Sequence, residues 1–97
     1  MLNGVDPGLV DTIEQTAAAV PGVQVVDAVQ LRWEGHRLRG ELAIGVDPGL
    51  DVAAAHQLAH EVEHELLHQL PHLDAMVVHP EPVGPAREAS HRLLSAC

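Results

Sequence analysis

The chain has no phenylalanine, no tyrosine and no lysine, and only one tryptophan and one cysteine among its 97 residues. Without Phe or Tyr the core must be built from Val, Leu, Ile and Ala, side chains that suit thin layers of helix on sheet. Five arginines against 14 acidic residues leave a formal charge of −9. That balance argues against nucleic acid and anionic membrane surfaces, because both demand basic surface, and no direct membrane insertion is expected. Cys97 is the last residue, so no internal disulfide can form and a reducing, cytoplasmic compartment is expected. It could pair between chains or ligate a metal, and a free thiol at the chain end is the simpler reading. No apolar run approaches the roughly 20 residues needed to span a bilayer, and the N-terminus lacks the basic and apolar regions of a signal peptide.

What the chain does have is histidine, eight of them beside 14 carboxylates. Neutral imidazole and carboxylate form the donor mixture that borderline divalent metals such as Zn²⁺ accept, so the composition points to cations. Hydrophobic residues make up 46% of the chain, enough for one modest core in one domain. A core of that size predicts support from a partner chain.

Asp6-Pro7 is a helix start, an N-cap carboxylate followed by proline at the first helical position, and Leu9, Ile13, Ala17 and Val20 then recur at helical spacing. The first helix is expected over residues 7–20, stopped by Pro21-Gly22. Residues 23–34 read as a strand in which Val29, Leu31 and Trp33 alternate with Gln30, Arg32 and Glu34. Gly35-His36 turns the chain, and Leu38, Leu42, Ile44 and Val46 continue the alternation in a second strand, making a hairpin. Asp47-Pro48-Gly49 breaks it. Asp51 can cap a second helix reaching about Leu70, with Val52, Ala55, Leu58, Ala59, Val62, Leu66 and Leu70 as its apolar stripe. A third strand is expected over residues 73–79, ended by Pro80 and Pro82, and residues 87–94 could form a short helix. A helix between the second and third strands implies a right-handed parallel crossover. The fold class is therefore α+β: an αββαβ order giving a three-stranded mixed sheet with two helices on one face. Arg32, Arg39 and Glu41 would lie on the open face with Ala43 and Gly45, a surface left wet or used in a dimer.

His56, His60, His64 and His68 recur every four residues on the second helix. At about 100° per residue each such step drifts by roughly 40°, so His56 borders the apolar stripe while the other three rotate onto the solvent face with Glu61 and Glu65. His60-Glu61-Val62-Glu63-His64 satisfies the H-E-x-x-H pattern in which two histidines hold Zn²⁺ and the first Glu activates water. That reading needs a buried cleft and a third ligand, for which Glu88 is the one candidate, and a metzincin would need Gly where Leu67 stands. An enzyme is not expected.

Pro21-Gly22-Val23, Ile44-Gly45-Val46-Asp47-Pro48, Ala55-His56 with Val62-Glu63, and Val77-Val78-His79-Pro80-Glu81-Pro82 follow one another in an order and spacing that resemble the cytoplasmic C-terminal domain of the cation diffusion facilitators, exporters of Zn²⁺ and related ions. The resemblance runs from about Val5 to Val83. It implies a ferredoxin-like domain over residues 1–83, with 84–97 as a tail, that forms a homodimer and binds metal at or near the dimer interface. It further implies that metal binding biases the conformation of a transmembrane transporter domain in a longer chain. Carried over position by position, His56 matches a helix histidine and His79 the histidine at the end of the last strand. Glu81 falls where members often have Asp, Glu41 where others place a carboxylate on the second strand, and Asp27 at a first-strand position that can carry a ligating His. Ala43 departs from members with a His there, which favours a site of fewer ligands.

His56 and His79, supported by Glu81, Glu41 and Asp27, are accordingly the expected ligands of Zn²⁺ or of Co²⁺, Mn²⁺, Fe²⁺, Ni²⁺ or Cd²⁺. The function expected is a metal-sensing regulatory domain whose dimer tightens on metal, or a stand-alone relative of it. The alternatives are a His-rich metal chaperone or buffer and, more remotely, a minimal zinc peptidase using Glu61.

Overall fold

A computed structural model describes residues 6–84. The expected helix over 87–94, Glu88 and Cys97 lie outside the described residues. The elements run α1 (Pro7–Ala18), β1 (Val25–Glu34), β2 (Arg37–Val46), α2 (Val52–Gln69) and β3 (Leu73–Pro82). The strands lie in the order β1-β2-β3, with β1 antiparallel and β3 parallel to the central β2.

Both helices start as their sequences dictate. The Asp6 carboxylate accepts the Gly8 N–H at 2.9 Å ahead of Pro7, and the Asp51 carboxylate accepts the Ala54 N–H at 2.7 Å, each satisfying a donor that the first turn leaves unpaired. α1 ends at Ala18, two residues short of the periodic pattern. Its last turn tightens through a bond from Val20 N–H to the Ala17 carbonyl at 3.2 Å, and Gly22 then takes φ +102°, where a side chain would crowd Leu58.

Ile13 and Ala17 of α1 and Leu58, Val62 and Leu66 of α2 pack on Leu31, Leu38, Leu42, Ile44, Val46 and Met76 of the sheet. One sheet face is thereby covered and the other left open. Burial on α2 starts at Leu58; Val52, counted in the apolar stripe from sequence, is 76% exposed. It is the first helical residue and precedes the stretch that packs.

β3 continues through Pro80 to Pro82, three residues past its expected end. The reason is the direction of the missing N–H groups. Val83 N–H donates to the Val46 carbonyl at 3.0 Å, and in a parallel ladder donors toward one neighbour recur at every second residue. Alternate residues including Pro80 and Pro82 therefore face the free edge, where a strand loses nothing by lacking an N–H.

β1 contains a bulge. Asp27 pairs with Ala43 but Gln30 pairs with Glu41, so Ala28 and Val29 together oppose Leu42, and Ala28 takes φ +54°. The extra residue changes the parity of the strand. Val26 before it and Leu31 after it both face the helices, while Asp27 and Gln30 share the open face. Strict alternation back from Leu31 would have turned Asp27 into the core. Because a left-handed conformation costs an L-residue about 1–2 kcal/mol and glycine offsets part of this through its own entropy, Ala28→Gly is expected to stabilise the domain by about 0.5–1 kcal/mol. Urea unfolding checks this as a higher midpoint at unchanged slope.

Candidate metal site

The open face carries a histidine in contact with a carboxylate. His79 Nε2 lies 3.1 Å from Glu41 Oε1, joining β3 to β2, with both side chains about half exposed. The contact follows from register, since His79 pairs with Ala43 and Glu41 is the next residue of β2 on the same face. Asp27 pairs with Ala43 from the other side. Asp27, Ala43 and His79 thus form one row across the three strands, with the smallest possible chiral side chain in the middle. The Asp27 carboxylate also accepts the Ala28 N–H at 2.8 Å, which steadies it at the bulge. Glu81, partly buried, pairs with Gly45 one step further along the same face. Val25 and Val83 close over Gly45, so apolar side chains stand beside Glu81 at that end of the face.

His56 is not among these residues. It is exposed on the second turn of α2, in the layer that covers the opposite sheet face. The structure therefore brings together His79 and Glu41, aligns Asp27 and Glu81 on their face, and leaves His56 apart from them within one chain. Among the described residues no three His, Cys, Asp or Glu side chains are grouped to hold a metal ion. The donors that do meet, an imidazole nitrogen and a carboxylate oxygen, are the types that borderline divalent cations accept.

Toward the hairpin end the open face becomes mixed in charge. Arg32 pairs with Glu34 at 2.8 Å, Arg39 reaches the same carboxylate at 3.6 Å, and Arg37 bonds Asp74 at 2.7 Å. These are exposed pairs, individually worth about 0–1 kcal/mol. A groove lined by Gln30, Arg32, Arg39, Glu41, Ala75 and Val77 runs between them and the His79–Glu41 contact. Val77 and Val25 are 52% and 41% exposed, so the face carries apolar as well as polar surface.

The helix ladder is exposed throughout: His56, His60, His64 and His68 all face solvent. His60 Nδ1 sits 3.7 Å from Glu63 Oε1, and the rings of His64 and His68 stack with centroids 6.4 Å apart. Val62, inside the H-E-x-x-H pattern, is fully buried while its flanking histidines point outward. Trp33 is 38% exposed at the end of β1, with its ring centroid 6.1 Å from that of His72.

An αββαβ chain with its helices on one sheet face and polar residues on the other is a ferredoxin-like α+β domain. Residues 5–83 match the family described as the cation efflux protein, cytoplasmic domain, and the chain belongs to that family. It is 51% identical over 82 residues to probable cation efflux system proteins from two strains of Mycobacterium tuberculosis, a match covering 84% of this chain and 25% of each relative. The chain thus spans about a quarter of the length of those relatives. Among solved structures, a cadmium form of a MamM CTD variant superposes with a TM-score of 0.78 at 27% identity, covering 80% of this chain and 98% of that one. A nickel form of another MamM CTD variant gives 0.79 at 25% identity, covering 81% and 100%. The family is one of transporter cytoplasmic domains and not of enzymes, so the H-E-x-x-H pattern on α2 is no peptidase centre. No helix among the described residues is long and apolar enough to cross a membrane.

Proposed function

We propose that this chain is the dimeric, divalent-cation-sensing regulatory domain of a cation diffusion facilitator exporting zinc or a related ion, or a stand-alone relative of one. Residues 1–83 would form the metal-binding dimerisation unit and 84–97 its tail. The observation that carries the reading is the His79–Glu41 contact on an otherwise uncovered sheet face, with Asp27 and Glu81 on the same surface. These residues fit Zn²⁺, Co²⁺, Mn²⁺, Fe²⁺, Ni²⁺ or Cd²⁺, and the nickel and cadmium forms of the MamM CTD variants support binding of such ions in the family.

His56 stands in the helix layer, so the arrangement that lets it join His79 is one in which the two come from different copies. Leu50 and Val52, 39% and 76% exposed, flank the N-cap of α2, one turn before His56, and supply apolar surface for such a contact. The bound cation would neutralise carboxylates of two acidic protomers and draw them together. Apo dimers are held open by that repulsion, and the shift in population is limited by the metal's differential affinity for the closed arrangement.

Calorimetric titration of Zn²⁺ into the untagged chain tests the ligands. His79→Ala and His56→Ala are each expected to weaken the tight site by at least about tenfold, or 1.4 kcal/mol. Unchanged affinity and stoichiometry in both would sink the assignment. Spin-label distances across the dimer, with and without Zn²⁺, test the closing step, which identical distances would refute.

A further inference from the structure

α2 carries an unclaimed feature on its outer face. His64 and His68 are both exposed, and their rings lie 6.4 Å apart between centroids with planes only 8° from parallel. Their neighbours have other attachments: His60 is turned to Glu63, and Glu65 accepts the Gln69 side-chain amide at 2.9 Å. Residues four apart on a helix hold their Cβ atoms about 6 Å apart. From that separation two imidazoles can each aim one nitrogen at a common ion about 2.0–2.1 Å away. Both rings face solvent, so side-chain rotation alone brings this about and the backbone need not move. The net charge of −9 raises the local concentration of cations around the helix.

We propose that His64 and His68 form a second metal site, contained in one chain, for a borderline transition-metal ion such as Ni²⁺, Cu²⁺ or Zn²⁺, with water completing the coordination. Imidazole selects these ions over Mg²⁺ and Ca²⁺, which take oxygen ligands. The site shares no ligand with the His79 surface. α2 packs on the sheet through Leu58, Val62 and Leu66, and His79 lies on the far face. The His64–His68 pair therefore binds its ion independently of the His79 surface.

Paramagnetic Ni²⁺ added to the ¹⁵N-labelled, untagged chain is the probe. Amide signals around His64 and His68 should broaden, the double variant His64→Gln/His68→Gln should lose that broadening, and His79→Ala should keep it. Mg²⁺ at the same concentration should have no effect there. Glutamine keeps the helix, and both positions are exposed, so the variant retains the fold. Broadening that persists in the double variant, that is confined to the open sheet face, or that fails to occur at a tenfold excess of Ni²⁺ overturns the site. Dilution of the protein separates the two proposals, because a single-chain site keeps its affinity while one built between copies does not.

Discussion

Ile44→Ala is expected to cost about 3–5 kcal/mol, enough to unfold a large fraction of the domain at room temperature. Ile44 is fully buried in β2, the strand that pairs on both sides, and it packs under both helices' apolar residues. The removed carbons take their transfer free energy with them, and the cavity they leave adds a second penalty where neighbours cannot collapse into it. Collapse is restricted here because β2 is held by ladders on either side. The core also has no Phe or Tyr whose bulk could swing into the space. Urea unfolding should show the midpoint falling steeply at nearly constant slope. The experiment belongs at several protein concentrations, since dimerisation would add concentration-dependent stability. A loss under about 1 kcal/mol would mean that the core is far looser than described.

Gly40→Ala acts by the opposite route, through overpacking. A Cβ at Gly40 would stand 2.7 Å from the backbone carbonyl oxygen of Gln30 and 3.3 Å from the Met76 methyl. A side chain can rotate away from such a contact, but a backbone oxygen on the paired strand cannot. β1 and β2 must part at this point, at a cost of about 1–3 kcal/mol. The consequence reaches the candidate site, because Glu41 is the next residue and pairs with Gln30. Displacing it should loosen its contact with His79, so Gly40→Ala is expected to lower metal affinity along with stability. Hydrogen exchange would show lost protection in β1 and β2, and calorimetry would show the weaker binding. Lost stability with metal affinity intact would separate Glu41 from the site.

Histidine content and charge point to cations, and the motif order points to the family, from the sequence alone. The helix caps at Asp6 and Asp51 and the hairpin turn were equally legible, because each depends on residues within a few positions of one another. The departures share a cause. Proline ends a strand only if its nitrogen faces a neighbour, and whether it does depends on which edge of the sheet β3 occupies. Val52 fits the apolar period of α2, yet its burial depends on where the sheet stops beneath the helix.

Local sequence periodicity determined the element order, the apolar faces and the donor types available for a metal, because propensity, capping and amphipathic spacing are properties of a short window of chain. Only the tertiary structure decided which donors meet. The bulge at Ala28 sets the face on which Asp27 appears, the parallel register places His79 against Glu41, and the crossover puts His56 in the other layer. Those outcomes depend on pairing between residues tens of positions apart, which no local pattern encodes. Histidines are equivalent as chemistry in the sequence; that His79 lies on the open sheet face, His56 in the helix layer, and His64 and His68 as a stacked pair is geometry.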